Sequence, residues 1–305
     1  MVKFSTISIV LFFGLVFSCS ENKTVVQKVE TTHSYSDFEI PSQVIFANEE
    51  ISLDDIDVQE RYERELIVNA YYHSRTFFLI KRSTRWFPTI ERVLKEEGIP
   101  EDFKYLALAE SGLAQVKSYA GAAGFWQFLS PTAKDYNLEV SKTVDERYHI
   151  EKSTRAACKY LMNAKKDLGS WPLAAAAYNR GKRGVQVNLE KQYVSNYFDL
   201  NLNSETARYF FRILALKEII ENPNKYNFDI KRTYKPYKTV KVTINESIKD
   251  LSLWSKNKGF NKKILKKLNP WLISNKLKVK DGKSYVILLP AKGSDLKVYS
   301  DTNGE

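Results

Sequence analysis

Cysteine and histidine are scarce in this chain of 305 residues, which contains two cysteines and three histidines. The histidines, His33, His73 and His149, lie far apart and have no metal-ligand spacing with the cysteines or the acidic residues. The sequence therefore predicts neither a structural nor a catalytic metal, and no cofactor. Cys158 shares the apolar side of a helical pattern with Leu161, so we expect it to be a buried small hydrophobe rather than a nucleophile.

An apolar run long enough to cross a bilayer comfortably is also missing at the N-terminus, where residues 7–17 are apolar. This run follows Lys3 and leads into LVFSC at residues 15–19, a pattern typical of a signal peptide with a bacterial lipobox. Phe17 is bulkier than usual at its position. We predict that residues 1–19 form a lipoprotein signal peptide and that cleavage makes Cys19 the lipidated first residue of the mature chain, so that it cannot form a disulfide. The alternative is an ordinary secretory peptide in which Cys19 is incidental.

Positive charge exceeds negative charge, with a net charge of +11 and a pI near 9.3. Such a balance favours an anionic partner, and nucleic acid, an acidic lipid surface or a carboxylate-bearing polymer would all fit. The basic residues are spread along the chain and become denser after Lys231. There is no nucleic-acid-binding motif, and the export signal argues against that class, so we predict no nucleic-acid partner.

The hydrophobic pattern divides the chain into four parts. Residues 20–54 are polar with few periodic apolar positions and predict a flexible tether. Residues 55–230 have helical periodicity throughout, including one long helix over residues 58–83 and another beginning at Trp86-Phe87-Pro88. We find no strand-like alternation before residue 236. Residues 231–295 then predict a strand, two helices and a strand, so the chain as a whole is mainly α with a small α+β module at the C-terminus.

Glu110 has an unusual position in one of these helices. Pro100 suits the first turn of the helix and Gly112 the position just past its end, and Glu110 falls on the same face as Leu106 and Ala107. A carboxyl group on an apolar face at the negative end of the helix dipole has a raised pKa and can act as a general acid near neutral pH. The alternative is a solvent-facing glutamate that caps a neighbouring loop.

Four short motifs follow one another around this glutamate: Glu110-Ser111, Gly124-x-x-Gln127, Ala177-Tyr178-Asn179-x-Gly181 and Glu205-Thr206-x-x-Tyr209. In this order and spacing they resemble the catalytic domain of lytic transglycosylases, which are lysozyme-like enzymes that cut peptidoglycan. The resemblance is strongest to the membrane-bound lytic murein transglycosylase D group and covers about residues 57–226. It implies a lysozyme-like helical catalytic domain over residues 55–230.

The resemblance also assigns roles to single residues. It implies that Glu110 is the catalytic acid and base, with Ser111 and Tyr178 orienting it or the neighbouring sugar. Gln127 and Asn179 would hold N-acetyl and hydroxyl groups, and Tyr209 would reach the acid from behind. The substrate-binding residues implied are Ser111, Gly124, Gln127, Tyr178, Asn179 and Tyr209. Alternatives from the residues themselves are local backbone hydrogen bonding by the two amides, and close approach of either a ligand or a neighbouring helix at Gly124.

The C-terminal module, residues 231–295, resembles a LysM module, which binds glycans that contain N-acetylglucosamine. The usual Gly-Asp-Thr-Leu after the first strand is replaced by residues 245–248, Asn-Glu-Ser-Ile. A small basic domain without sugar affinity is therefore the alternative for this part of the chain.

Together these resemblances imply a monomeric lytic murein transglycosylase that cleaves the bond between N-acetylmuramic acid and N-acetylglucosamine and leaves 1,6-anhydromuramic acid ends. The implied partners are peptidoglycan strands and a membrane, reached through the lipid on Cys19. The implied location is the cell envelope, by default the periplasmic face of an outer membrane. Two other functions stay open: a peptidoglycan hydrolase of the same fold, and a non-catalytic lipoprotein that binds the cell wall.

Overall fold

The computed structural model describes residues 38–296, and within this range the chain begins with a β-hairpin. Strand β1 (Gln43–Phe46) pairs antiparallel with β2 (Glu49–Ser52), with Val44 opposite Ile51. Phe46, Ile51 and Leu53 are buried in the main hydrophobic core. The predicted signal peptide, Cys19 and the first part of the predicted tether lie outside the described residues.

The prediction of a flexible tether up to residue 54, without strands before residue 236, is wrong for this hairpin. Besides its buried side chains, the hairpin is held by the Ala47 N–H, which donates to Asp102 Oδ2 at 2.7 Å, and by an ion pair between Glu49 and Lys165. Ala47 and Asn48 both have positive φ, the conformation of a two-residue hairpin turn that is usually signalled by Asn-Gly. The strands are four residues long and the turn has no glycine, so the pattern escaped detection.

Eight helices follow in chain order: α1 (Ile56–Tyr71), α2 (His73–Glu96), α3 (Lys104–Ser111), α4 (Ser130–Asp135), α5 (Ile150–Leu168), α6 (Trp171–Arg180), α7 (Lys182–Gln192) and α8 (Ser204–Glu221). The helix predicted over residues 58–83 is interrupted at Tyr72, whose ψ of 57° is not helical. Helix α2 then continues through Pro88, where a new helix is predicted. Phe87 and Ile90 bury the core face on both sides of this proline, so packing outweighs the lost backbone hydrogen bond.

Helix α3 occupies the centre of the helical part, where it packs against α2 and α8. Tyr105, Leu106, Ala107 and Leu108 are all buried, and this burial fixes the direction in which the helix presents its C-terminal end. The neighbouring α5 contributes Cys158 to the same core, which confirms the prediction of a buried small hydrophobe; burial raises the pKa of its thiol to about 12.

The C-terminal module has its own sheet and its own apolar cluster. Strands β3 (Thr239–Ile244) and β4 (Tyr285–Pro290) pair antiparallel, and between them lie α9 (Leu251–Asn257) and α10 (Lys262–Leu268). Leu251, Leu265 and Ile287 are buried at the centre of this second cluster. The prediction of a mainly helical chain that ends in a strand–helix–helix–strand module is confirmed.

A short segment before α5 connects the two parts. Val144 is buried in the apolar cluster of the module, and the Asp145 N–H donates to the Trp271 carbonyl at 2.9 Å. Two residues further on, Arg147 points into the helical part and pairs with the Asp145 carboxylate at 2.7 Å. Residues 144–147 therefore belong to both parts. Within residues 38–296, no helix is both long enough and apolar enough to cross a membrane.

Candidate active site

Glu110 lies in the last turn of α3, and Gly112 ends that helix with a left-handed φ of 59°. The apolar residues that share its face are buried, whereas Glu110 itself is only partly buried. Its carboxyl group reaches the wall of an open cleft of about 550 Å³. The position of Glu110 at the edge of the core follows from the packing of α3 against α2 and α8.

The cleft is formed by the end of α3, by the end of α6 and by the loop between α3 and α4. Its polar lining includes Glu110, Gln127, Tyr178, Asn179 and Arg180. Among the described residues that line the cleft, Glu110 is the only one with a carboxyl group. Three motifs that lie up to seventy residues apart in the sequence are therefore brought together around a single acid.

Tyr209 lies behind Glu110, on α8. Its hydroxyl group donates a hydrogen bond to Glu110 Oε1, and its ring is buried. Burial raises the pKa of the Glu110 carboxyl to about 7, while the Tyr209 hydrogen bond and the charge of Arg212 act in the opposite direction. Glu205 adds a smaller repulsion that raises this pKa. Glu110 is thus held near the midpoint of its titration at neutral pH, which suits a group that gives and takes a proton.

The side-chain amides of Asn179 and Gln127 at the cleft are each held by hydrogen bonds at one end of the amide group, which leaves the other end for a ligand. Asn179 Oδ1 accepts a hydrogen bond from the Thr206 hydroxyl at 2.9 Å, so its NH₂ group is the part available to a ligand. Gln127 is arranged in the opposite way, because its Nε2 donates to the carbonyls of Val116 and Gly124 at 3.2 and 2.7 Å. A ligand would therefore meet Oε1 of Gln127 as an acceptor. Gln127 therefore both bonds to the local backbone and lines the cleft.

The hydroxyl groups of Ser111 and Tyr178 are bonded to the backbone. Ser111 Oγ lies 2.9 Å from the Phe125 carbonyl oxygen and accepts from the Leu113 N–H, and it does not line the cleft. The Tyr178 hydroxyl donates to the Trp126 carbonyl at 2.7 Å, while its ring forms part of the cleft wall. Both residues tie the loop before α4 to the helices that carry Glu110 and Asn179.

Gly124 does not line the cleft, contrary to the substrate-binding role implied by the resemblance. It has a φ of 78°, and a Cβ atom added to it would lie 1.9 Å from the carbonyl oxygen of Arg147. The space that the missing side chain leaves is thus filled by the backbone of the segment before α5 and not by a ligand. We therefore correct its role to one of backbone packing.

Sequence analysis assigned no role to three residues that contribute to the site: Arg147, Asp145 and Thr206. Arg147 is buried and donates to the carbonyls of Gly121 and Phe128 at 2.8 and 3.0 Å, so it supports the loop that carries Gln127. Its partner Asp145 is buried with it and also caps the following turn. Thr206 holds the side chain of Asn179 through its hydroxyl group. Its place directly after Glu205 in the fourth motif was the only sequence signal for this role.

Three further acidic residues of the helical part, Glu205, Asp135 and Glu151, do not line the cleft. Glu205, in the first turn of α8, is exposed and pairs with Arg212 at 3.0 Å. Asp135 is exposed at the end of α4, outside the cleft, and Glu151 pairs with Arg92 at 2.7 Å. Within residues 38–296, no group of three His, Cys, Asp or Glu side chains is arranged to hold a metal ion. The arrangement can therefore perform proton transfer by one carboxyl group in a polar cleft.

Comparison with known proteins agrees with this geometry. The family model described as "Transglycosylase SLT domain" matches residues 88–201, and the model "Soluble lytic transglycosylase C-terminal LysM-like domain" matches residues 240–293. The chain is 26% identical over 254 residues to "Membrane-bound lytic murein transglycosylase D" of Escherichia coli strain K12. The protein of the same name from E. coli O6:H1 strain CFT073 gives the same identity.

Each match covers 81% of this chain and 55% of the relative, so the chain spans about half the length of the curated relatives that it matches. The first family match contains Glu110, Gln127 and Asn179, and it ends before Tyr209. The predicted resemblance to lytic transglycosylases with a C-terminal LysM-like module is confirmed. Residues 88–201 are thus similar to the transglycosylase SLT domain family, and residues 240–293 are similar to the LysM-like domain family of soluble lytic transglycosylases.

Proposed function

We propose that the protein is a peptidoglycan lytic transglycosylase in which Glu110 acts first as an acid and then as a base. The Glu110 carboxyl group donates its proton to the oxygen between N-acetylmuramic acid and N-acetylglucosamine as the bond from that oxygen to C1 breaks. The 6-hydroxyl oxygen of the muramic acid then forms a new bond to C1. Its proton passes to the Glu110 carboxylate, which restores the acid and leaves a 1,6-anhydro ring.

The observation that carries this proposal is the single carboxyl group of the cleft. Glycoside hydrolases usually need two carboxylates, one of which activates water or attacks the sugar. Among the described residues that line the cleft, only Glu110 can play such a part. An internal hydroxyl group of the substrate removes the need for the second carboxylate. The pKa near 7 allows Glu110 to serve in both steps.

The remaining cleft residues fit the recognition of N-acetylated sugars. Asn179 offers an NH₂ donor, which suits the carbonyl oxygen of an N-acetyl group. Gln127 offers an acceptor, which suits a sugar hydroxyl or an amide N–H. Ser111 and Tyr178 support this proposal indirectly because their backbone bonds keep the loop, α3 and α6 at fixed distances.

We also propose that Cys19 carries a lipid and that the protein works in the cell envelope. Support comes from the LVFSC motif and from the printed name of the E. coli relative, which includes "membrane-bound". In this proposal the catalytic domain begins at the hairpin, at about residue 43, and extends to about residue 230. The LysM-like module occupies about residues 231–295.

Mass spectrometry of the products tests the proposed reaction. Purified peptidoglycan treated with the full chain is expected to release muropeptides with 1,6-anhydromuramic acid ends. A hydrolase would instead release reducing ends that are about 18 Da heavier, the mass of the added water. Wall binding with no released product would identify a non-catalytic wall-binding protein. Either of these two results would contradict the proposal.

Replacing Tyr209 with Phe should move the pH profile of cleavage to higher pH. Glu110 must be protonated to act first, so activity should fall as pH rises through about 7. The Tyr209 hydroxyl stabilises the carboxylate and so lowers this pKa, and its removal should raise the pKa and shift the alkaline limb upward. The measurement is the rate of muropeptide release between about pH 5 and pH 9.

Tyr226→Phe is the matched control for this experiment. The Tyr226 hydroxyl also bonds to a glutamate, Glu218 at 2.9 Å, but neither of these residues lines the cleft. The control should keep the alkaline limb of the wild-type protein. An unchanged limb in Tyr209→Phe would mean that Glu110 does not control the pH dependence.

A further inference from the structure

Positive charge is concentrated in the C-terminal module. Residues 231–296 contain 17 Lys and Arg against 4 Asp and Glu, a net charge of +13. Residues 38–230 contain 26 against 27, so this part is close to neutral. The module alone exceeds the net charge of +11 of the whole chain. Long-range attraction for an anion must therefore come from the module and not from the domain that contains the cleft.

The charges of the module are mostly not neutralised within the protein. In the helical part, basic side chains repeatedly pair with carboxylates, as Arg92 and Arg155 both do with Glu96. Within the described part of the module, only Lys231, Lys241 and Lys283 have a carboxylate within 4.0 Å. The other lysines and Arg232 remain available to an external partner.

Seven of these lysines lie on two neighbouring segments, which we together name the basic face: the four lysines of α10 and the three of residues 276–280. In α10 the apolar residues Ile264, Leu265 and Leu268 are buried, which directs the lysines outward. In residues 276–280 the side chains alternate, with Leu277 buried and the lysines exposed. Lys266 Nζ donates to the Ser274 carbonyl at 2.5 Å, which places the two segments side by side.

None of the seven lysines of the basic face forms an ion pair within 4.0 Å with a described carboxylate, and Asp250 interacts with Lys262 only at longer range. Burial, with a contribution from the neighbouring Lys262, lowers the pKa of Lys266 to about 8. The nearby Asp250 carboxylate caps α9 by accepting from the Ser252 and Leu253 N–H groups, and it also accepts from Asn275. An anionic partner would relieve this crowding of like charges.

We propose that the basic face binds the carboxylate groups of the peptide stems of peptidoglycan. This inference rests on the proposed function and deepens it, because it names the part of the substrate that the module holds. All seven basic groups of the face are lysines, which act as separate point charges rather than as the bidentate forks of arginine. A polymer that repeats single carboxylates presents the matching pattern. Within residues 262–280, Ile273 is the only exposed large apolar side chain, and one such side chain is a small anchor for entry into a bilayer.

The consequence for the enzyme is a division of labour. The nearly neutral helical part recognises sugar through hydrogen bonds, and the module keeps the chain close to the stems that flank each cleavage point. Linking the two sites raises the local concentration of glycan at the cleft without any new contact there. Binding to whole peptidoglycan should therefore weaken as salt screens the lysines.

Binding is best measured with the full chain carrying Glu110→Gln, so that the polymer stays intact. The probes are peptidoglycan with its stems, the same glycan after an amidase has removed the stems, and vesicles of phosphatidylglycerol and phosphatidylcholine. We expect salt-dependent binding to the first probe and binding about tenfold weaker, or more, to the other two.

Two sets of charge reversals, each of four exposed lysines, separate the basic face from charge in general. The set on the basic face is Lys263→Glu, Lys276→Glu, Lys278→Glu and Lys280→Glu. The control set on the helical part is Lys95→Glu, Lys159→Glu, Lys166→Glu and Lys191→Glu. We expect the first set to weaken binding to whole peptidoglycan about tenfold and the control set less than about twofold, although both change the net charge equally.

Equal loss with the two sets, equal binding to stripped glycan, or stronger binding to the vesicles would overturn this inference. The proposed function is tested apart from it, by cleavage of a soluble oligosaccharide without stems by the chain with Glu110 intact. Both charge-reversed sets should cleave that substrate at the wild-type rate. If the chain binds the stems but does not cleave the oligosaccharide, the proposed function is refuted. If it cleaves the oligosaccharide but binds peptidoglycan equally with and without stems, only the role of the basic face is refuted.

Discussion

Glu110→Gln is expected to lower the rate of glycan cleavage about a thousandfold or more. Glutamine has the same shape and can still accept the hydrogen bond from Tyr209, but it can neither donate the proton to the glycosidic oxygen nor accept one afterwards. In the described lining of the cleft there is no second carboxyl group to replace it. Release of muropeptides from purified peptidoglycan, with far-ultraviolet circular dichroism as the check on folding, measures the effect.

The same variant should be more stable than the wild-type protein at alkaline pH. The pKa of Glu110 is about 7 in the folded protein and close to the ordinary value of about 4.3 when unfolded. Between these values the folded state binds the proton more tightly, so the stability of the wild-type protein falls as pH rises through this window. Glu110→Gln should then gain roughly 1–3 kcal/mol at about pH 8 and nothing at about pH 4.

Thermal unfolding at both pH values provides the comparison for Glu110. Glu205→Gln is a suitable control, because this carboxylate is exposed in the first turn of α8 and does not line the cleft. Its effect on cleavage should be small beside that of Glu110→Gln. Near wild-type release of muropeptides by Glu110→Gln would refute the assignment of the acid, and equal stability gains at both pH values would refute its raised pKa.

Gly124→Ala is expected to destabilise the protein by at least about 3 kcal/mol, an effect at the upper end for a single substitution. The added methyl group would lie 1.9 Å from the Arg147 carbonyl oxygen and 2.7 Å from its carbon, so the backbone must move. The positive φ of 78° adds strain for any residue with a side chain. Chemical denaturation measures the loss, and cleavage should fall with it because the loop also carries Gln127.

The variant Gly121→Ala separates the steric clash of an added Cβ atom from the strain of a positive φ. Gly121 lies in the same loop with a φ of 86°, but a Cβ atom there would meet nothing within 4 Å. Only the conformational cost remains, so we expect a loss of about 1 kcal/mol. If the two variants lost the same free energy of unfolding, the close approach of the Arg147 backbone would not be what requires glycine at position 124.

Much of the fold follows from local patterns that the sequence displays openly. The α3 helix could be placed because a proline, a glycine and a set of apolar residues at helical spacing agree on its ends and its inner face. The hairpin could not, because its turn uses Ala47 and Asn48 in a conformation that usually requires glycine, and its strands are too short for alternation to stand out. No glycine or proline near Tyr72 signals the break between α1 and α2.

In the candidate site, too, some features could be predicted from the sequence and others could not. Glu110, Gln127 and Asn179 could be named from their motifs, and the structure brings them to one cleft. The direction of each amide depends on partners remote in the sequence, Thr206 for Asn179 and the Val116 backbone for Gln127, and no local pattern encodes it. Gly124 was assigned to a ligand because sequence cannot distinguish a backbone from a substrate as the neighbour of a glycine.

The segment at residues 144–147 has a consequence for how the molecule responds to force and heat. Val144 completes the interior of the C-terminal module, while Arg147 holds the loop that positions Gln127. Neither half can lose its structure without removing part of the other, so residues 38–296 should unfold cooperatively in one step. Force applied to the module would therefore also act, through these four residues, on the loop that carries Gln127.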